Sequence, residues 1–289
     1  MPLPILQVTT PLATQATPQT LVRLFHQTQL HWSRHLAEEQ LLDLGTALFN
    51  PQLSRVTEAN ILMDAAVAPG TDPADAIATA EVFYQEKGSH LRALIPNPSV
   101  SSDTLKQRLL TLGWSADSRD IFKLGRQPAA SPLLIPPGSK IIPARASFRH
   151  ARQLAEEMTG GDAQQADAAL LHLDDPHVDA LLALRDGQGV AGVAVLAMGE
   201  IGRIDQLYVT QRYRRQGLGK LMLSRALEIC ARALFKHVLL STSSSEVAAQ
   251  AIFKDFGFEP IGVIDQYRMP PPSGLVASDF GELSRTAAG

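Results

Sequence analysis

The stretch that most constrains the fold is residues 202–236, which read as a strand, a basic loop broken by glycines, and a helix. Residues 204–209 form the strand candidate, and residues 214–219 form the loop Arg-Arg-Gln-Gly-Leu-Gly. Apolar residues then recur at helical spacing. They are Leu218, Leu221, Met222, Leu227, Cys230 and Leu234. This order presents free backbone N–H groups and the positive end of a helix dipole, about half a charge, to an anion. The stretch therefore predicts a phosphate or pyrophosphate ligand.

Two well-known phosphate loops do not fit this stretch. A Walker loop requires glycine where Arg214 stands and Ser or Thr where Leu221 stands. A dinucleotide-binding fingerprint requires a third glycine where Met222 stands. The pattern Arg-x-x-Gly-x-Gly, after a strand that ends in an apolar residue, any residue and Val, resembles the acetyl-CoA loop of the GCN5-related N-acetyltransferases.

A second motif carries the same resemblance. It is Ala249-x-x-x-Phe253-x-x-x-Gly257-Phe258, at the distance from the loop that the family uses. The predicted order over residues 140–269 is strand, two helices, three strands, loop and helix, strand, helix, Gly-Phe and strand. This resembles a whole acetyltransferase domain and covers about half of the chain.

The N-terminal half resembles a degenerate copy of that domain. Residues 101–112 read as a helix that runs into Gly113-Trp114 and a strand, as residues 246–256 run into Gly257-Phe258. The match can also arise by chance, since helix, glycine and strand often follow one another. The loop between strand 60–65 and helix 73–86 has no basic residue and no Gly-x-Gly, and Asp72 and Asp75 would repel a pyrophosphate. We therefore expect this half to bind no acetyl-CoA in this mode and to shape one wall of the acceptor cleft.

The expected fold class is α/β with a mixed sheet, as two tandem acetyltransferase-like domains, each a mostly antiparallel twisted sheet flanked by helices. A length of 289 residues is enough for two domains. Proline-rich residues 126–140 mark the boundary. The predicted bounds are 1–127 for the degenerate domain, 128–139 for the linker, 140–270 for the acetyltransferase domain and 271–289 for a tail. Residues 18–48 are expected to form one long or two short helices, starting after Thr17-Pro18.

The resemblance implies the residues that hold acetyl-CoA, the expected co-substrate. The backbone of Leu207, Tyr208 and Val209 would bind the pantetheine arm, with a β-bulge in that strand. The amides of residues 215–220 would hold the pyrophosphate, and Arg214, Arg215 and Lys220 would add charge. The predicted binding set from this loop is Arg214, Arg215, Gln216, Gly217, Leu218, Gly219 and Lys220.

The resemblance also suggests catalytic candidates. Asp205 stands where the family often has an acidic residue, and a base is needed because a primary ammonium has a pKa of about 10. The family's general acid is a tyrosine where this chain has Phe253, and its usual asparagine is replaced by Glu246. Tyr208, Ser245 or Tyr267 then serves as acid, or the thiolate leaves without one, or the chain binds acetyl-CoA without turnover. Our catalytic candidates are Asp205, Tyr208 and Ser245.

Composition narrows the function classes further. The formal net charge of −3 argues against a nucleic-acid binder. We expect no membrane span, since no apolar run approaches about 20 residues, and no signal peptide at the N-terminus. One cysteine fits a cytoplasmic protein and excludes a cysteine-based zinc site. His172, Asp174, Asp175 and His177 are better explained as a polar loop before a strand than as ligands, so no metal is expected.

These observations predict an N-acetyltransferase that transfers acetyl directly from acetyl-CoA to an amine. The alternatives are a non-catalytic acyl-CoA-binding module and a pseudo-enzyme. A small-molecule amine and a peptide amine both remain open as acceptor, and the sequence gives no oligomeric state.

Overall fold

A computed structural model describes residues 16–125, 133 and 135–270. In this part of the chain, eleven strands form one sheet in the order β1-β2-β3-β4-β11-β5-β10-β9-β8-β7-β6. The strands are β1 (Glu38–Leu42), β2 (Gly45–Phe49), β3 (Ile61–Ala65), β4 (Ala93–Pro96), β5 (Ser115–Leu124), β6 (Ser139–Pro143), β7 (Val178–Arg185), β8 (Gln188–Met198), β9 (Ile201–Val209), β10 (His237–Ser243) and β11 (Phe258–Arg268). The helices are α1 (Pro18–Arg34), α2 (Pro73–Glu86), α3 (Asp103–Thr111), α4 (Phe148–Met158), α5 (Ala163–Leu171), α6 (Leu218–Arg232) and α7 (Val247–Asp255). The predicted tail lies outside the described residues, as does half of the predicted linker.

Helices begin where capping residues meet proline. The side chain of Thr17 accepts a hydrogen bond from the amide of Thr20, and Pro18 occupies the first turn of α1. Asp72 caps α2 in the same way, ahead of Pro73. Both starts were predicted from the sequence.

The predicted continuation of helix to residue 48 is wrong. Residues 38–49 form a β-hairpin, in which β1 pairs antiparallel with β2 and Leu42 lies opposite Gly45. The leucines at helical spacing do not share a face, since Leu41 is 79% exposed while Leu44 is buried. β2 also pairs with β3, so consecutive residues of β2 are buried on both faces. Burial of a strand between two neighbours outweighs the weak helical pattern.

The two halves of the chain exchange their last strands. β5, from the N-terminal half, pairs with β10, and β11, from the C-terminal half, pairs with β4. β5 and β11 pair with each other at the centre of the sheet, with a bulge between Pro260 and Gly262. Gly113 and Gly257 precede these two strands with similar left-handed φ values, +85° and +82°. The two halves therefore enter their last strands in the same way, whereas the predicted duplication and domain bounds stay predictions.

Helices cover both faces of this sheet. Phe122 and Leu240 pack in the cluster with residues of α6 and α7, whereas their neighbours Ile121 and Leu239 pack with Phe25 of α1. Alternate residues of a strand face opposite sides of the sheet. Helix α1 thus crosses the centre on the face opposite α6 and α7, which brings N-terminal residues over the C-terminal strands. No helix among the described residues is long and apolar enough to cross a membrane.

Candidate active site

The candidate site is a cleft where two parallel strands separate. β9 and β10 pair from Ile201 opposite His237 to Ile204 opposite Leu240, and the pairing ends there. Beyond that point, residues 205–209 and 241–243 line a cavity of about 280 Å³. The splay opens a path between the strands that a narrow, extended ligand fits.

A β-bulge shapes β9 at this point. Ala194 of β8 lies opposite Asp205 and Gly192 lies opposite Tyr208, so two residues of β9 face one of β8. Gln206 in the bulge has a φ of +50°. Because the bulge changes the alternation, Ile204 and Leu207 both pack against the same core cluster. The structure thus has the bulge that the sequence predicted.

The glycine loop ends in a helix start that no side chain caps. Helix α6 begins at Leu218 after Gly217, whose φ is +79°, and the first turn receives no side-chain hydrogen bond. A Cβ at Gly217 would meet nothing within 4 Å, so the left-handed backbone, not crowding, requires glycine there. In the N-terminal half, by contrast, Asp72 accepts a hydrogen bond from Ala74 N at 2.8 Å at the start of α2. Of these two corresponding helix starts, the one of α6 leaves its amides to an anion.

The predicted side chains of the loop have mixed surroundings. Arg214 donates through Nε to the carbonyl of Val209 at 3.1 Å, which ties the loop to β9. Gln216 accepts from Arg185 at 2.6 Å. Lys220 Nζ lies 3.1 Å from Asp255, on the surface, and Arg215 is exposed.

Asp205 lies in the cavity wall and forms an ion pair with Arg203. Its other oxygen accepts from the amide of Gln206 at 2.7 Å. Burial alone would raise the pKa of Asp205, but the guanidinium of Arg203 and this amide outweigh it and hold the pKa below its usual value. Asp205 is therefore a carboxylate at neutral pH. The Arg203 guanidinium lies 4.7 Å from the Phe25 ring, which couples the pair to α1.

The other catalytic candidates are placed differently. Tyr208 is buried and lines the cavity, and burial raises the pKa of its hydroxyl. Ser245 is exposed, and its hydroxyl lies 3.0 Å from that of Ser243, which lines the cavity. Phe253 also lines it, packed edge-on against Phe122 at 5.8 Å between ring centres. Tyr267 packs in the cluster with α2 and α3 and is not among the lining residues.

The sequence led us to expect a cavity wall from the N-terminal half, but it did not identify the residues that form this wall. These residues are Trp32, Leu36, Glu58 and Arg119. No motif marks them, because α1, the exchanged strand β5 and the segments after α1 and before β3 reach β9 and β10 only in the folded chain. Trp32 stacks on His172 of the other half, with ring centres 3.7 Å apart. Burial lowers the pKa of His172 to about 3, so its imidazole is neutral.

The polar loop before β7 lies at one side of α1. His31 and His177 each place a ring nitrogen 3.0 Å from a different oxygen of the buried Asp175 carboxylate. The ligand atoms of these three residues lie within 4.8 Å of one another, a spacing that also suits a metal ion. His172 points elsewhere, onto Trp32, and Asp174 is exposed. The predicted absence of a metal stays a prediction.

Residues 146–258 match the model of the acetyltransferase (GNAT) family. This part of the chain is a GNAT-family domain. It contains both the splayed strands and the glycine loop, so the predicted family is confirmed on the residues that suggested it.

Curated relatives of this GNAT domain are N-acetyltransferases. An N-acetylaspartate synthetase of Rattus norvegicus is 29% identical over 107 residues, which is 36% of this chain and 36% of that protein. A putative [ribosomal protein bS18]-alanine N-acetyltransferase of Bacillus subtilis is 25% identical over 95 residues, 33% of this chain and 63% of that protein. The chain thus spans about a third of the length of the synthetase that it matches.

Solved GNAT structures match across both halves. A GCN5-related N-acetyltransferase from Kribbella flavida covers 86% of this chain and 95% of its own, with a TM-score of 0.58 and 20% identity. A tandem GNAT protein from the clavulanic acid biosynthesis pathway covers 74% of this chain and 76% of its own, with a TM-score of 0.52 and 16% identity. These likenesses concern the fold, and they confirm the predicted mixed α/β class.

Proposed function

We propose that the chain is an acetyl-CoA-dependent N-acetyltransferase that transfers the acetyl group directly to an amine. The observation that carries the proposal is the uncapped start of α6 behind Gly217, placed beside the cleft between β9 and β10. An anion-binding helix start next to a narrow cleft suits a ligand with a pyrophosphate and a long thin arm. The names of the curated relatives support the acyl-transfer class.

The residues present fit acetyl-CoA, which supplies an activated thioester. The amides of residues 215–220 bind the pyrophosphate, and Arg214 and Arg215 add positive charge. Lys220 contributes less, because Asp255 already lies 3.1 Å from it. The bulged backbone of Leu207, Tyr208 and Val209 lies along the arm. In the N-terminal half, Asp72 occupies the corresponding helix start, which supports a degenerate copy that does not bind the co-substrate.

Asp205 acts as the base in this proposal. The ammonium loses a proton through water to the Asp205 carboxylate, and the amine nitrogen then attacks the thioester carbonyl carbon. The carbon–sulfur bond breaks, sulfur leaves as a thiolate, and the nitrogen of the new amide gives up its extra proton to water. A thiol pKa of about 8.5 makes this departure feasible without an acid, which suits Phe253 at the usual tyrosine position. Tyr208, or Ser245 through Ser243, is the alternative proton donor.

The experiment combines acetyl-CoA, a broad panel of small and peptide amines and a thiol reagent that detects released CoA. The single cysteine does not interfere, because Cys230 is buried and burial raises the pKa of its thiol to about 12. We expect thiol release that depends on the amine. The buried thiol also fits a reducing, cytoplasmic setting.

Paired glycine variants test the location. Gly217→Val and Gly219→Val should abolish acetyl-CoA binding in a calorimetric titration. Gly70→Val is the matched control, since Gly70 has a φ of +86° and also open space around it, in the corresponding N-terminal loop. Equal loss in all three variants would point to backbone strain rather than to a binding loop.

A non-catalytic acyl-CoA-binding module is the second candidate. Phe253 favours it, because this buried ring offers no hydroxyl where the cavity meets α7. Binding of acetyl-CoA without thiol release for any amine would support this candidate over the enzyme.

A further inference from the structure

Two charged side chains from the N-terminal half face the cavity, within electrostatic reach of the Arg203–Asp205 pair but outside that ion pair. Arg119 of β5 and Glu58, which precedes β3, both line it. Within residues 16–125, 133 and 135–270, neither side chain forms an ion pair. A charge in a partly desolvated wall is costly unless a partner compensates it.

Arg119 is held at one point only. Its Nε donates to the hydroxyl of Ser241 at 3.4 Å, which is a long hydrogen bond. Its two terminal nitrogens have no hydrogen-bond partner among the residues that the structure describes. A guanidinium with that edge free presents the planar fork that binds a carboxylate in two hydrogen bonds.

The other charges of the cavity are accounted for. Asp205 is paired with Arg203. Glu246 stands at the N-terminus of α7, where the positive end of the helix dipole compensates a carboxylate. Among the charged lining residues, one cation and one anion, Arg119 and Glu58, therefore have neither an ion-pair partner within 4.0 Å nor a helix dipole to compensate them.

We propose that the acceptor is a small amine that also carries a carboxylate, such as an amino acid, with Arg119 binding the carboxylate and Glu58 attracting the ammonium. The proposal rests on the N-acetyltransferase function. The cavity volume of about 280 Å³ and its wall of stacked Trp32 and His172 suit a small molecule better than a protein chain. The N-terminal half thereby recognises the acceptor, although it lacks the co-substrate loop.

The test compares amino acids with amines that lack only the carboxylate. The pairs are glycine with methylamine, β-alanine with ethylamine and L-phenylalanine with phenethylamine. We expect kcat/KM to be about tenfold to a hundredfold higher for the acid of at least one pair, the range for a hydrogen-bonded charge. Arg119→Gln should remove that preference and leave the affinity for acetyl-CoA unchanged. Glu58→Gln should raise KM for both members of a pair.

Arg149→Gln is the matched control, because Arg149 is exposed and lies on α4, away from the cavity lining. It should behave as the wild type. Arg119→Glu should reverse the preference toward a diamine such as ethylenediamine. Equal kcat/KM within every pair, or a preference that survives in Arg119→Gln, overturns the proposal.

Calorimetry separates this proposal from the proposed function. The protein saturated with CoA is titrated with each amino acid and each plain amine. Tighter binding of the amino acid that is lost in Arg119→Gln supports the proposed acceptor class even without turnover. The absence of turnover would count only against the proposed enzymatic function. Absence of any such difference, with turnover of plain amines, overturns the acceptor class and leaves the enzyme in place.

Discussion

Replacing Asp205 by Asn should destabilise the fold, because it leaves a buried guanidinium without its counter-charge. The Arg203 side chain is 5% exposed, and its Nε is buried with no hydrogen-bond partner among the described residues. Removing one member of a buried ion pair costs about 3 to 5 kcal/mol. The Asp205 side chain keeps 27% exposure toward the cavity, so we expect the lower end, about 3 kcal/mol. For a chain of this size that is a fall in Tm of about 6 to 12 °C.

The assay is urea unfolding at pH 7, followed by circular dichroism, of Asp205→Asn, Arg203→Met and the double variant. The double variant should lose less unfolding free energy than the two single variants lose together, because it leaves no unpaired charge. Glu228→Gln is the control, because its pair with Arg225 is exposed, and it should change stability by less than about 1 kcal/mol. A loss below about 1 kcal/mol for Asp205→Asn, or strict additivity in the double variant, would refute this reasoning.

The pH dependence of the same variants gives an independent check. The pKa of Asp205 is lowered in the folded protein, so its ionised form stabilises the fold. That contribution is complete above the unfolded-state pKa, about 4, and is lost as the pH falls through the lower folded value. The difference in the free energy of unfolding between wild type and Asp205→Asn should therefore be constant from pH 6 to 8 and shrink below about pH 4. A gap that widens in acid would contradict the direction of the shift.

Three further outcomes are expected. Gly202→Ala should lower the free energy of unfolding in urea by about 1 to 3 kcal/mol, because the added Cβ would lie 2.4 Å from a ring carbon of Phe235. A variant as stable as the wild type would show that the ring moves aside. Phe253→Tyr should change kcat less than about threefold at pH 8.5, because a thiolate leaves without an acid near its pKa; a tenfold gain would show that protonation limits the rate. Fragments 1–127 and 140–270 should be poorly folded alone by circular dichroism and recover structure when mixed, because each holds a strand that the other's sheet needs; two cooperative unfolding transitions of the separate fragments would contradict this.

Local signals in the sequence predicted the parts of the fold that depend on neighbouring residues. Thr17-Pro18 and Asp72-Pro73 start helices where the structure has them, because capping and proline geometry act within one turn. The loop before α6 was found for the same reason, since its glycines and helix start are contiguous.

Features that depend on distant pairing were not predicted. The hairpin at residues 38–49 is set by the pairing of β2 with β3, about fifteen residues away, which the helical spacing of a few leucines does not report. The exchange of β5 and β11 is a choice between two similar partners for each strand, and composition does not distinguish them. Arg119 faces the cavity only because of that exchange. No local pattern in the sequence could therefore predict its place in the candidate acceptor site.

Transfer of label from acetyl-CoA carrying a ¹⁴C-acetyl group is the measurement that tests the central claim most directly. The purified chain is incubated with this donor and the amine panel, and products are separated and analysed for an amide. The account predicts label on the nitrogen of at least one amine, together with release of one CoA per acetyl group. It also predicts no transfer by Gly217→Val under conditions where Gly70→Val is active. Absence of labelled amide from every amine, with folded protein that binds no acetyl-CoA, would contradict it.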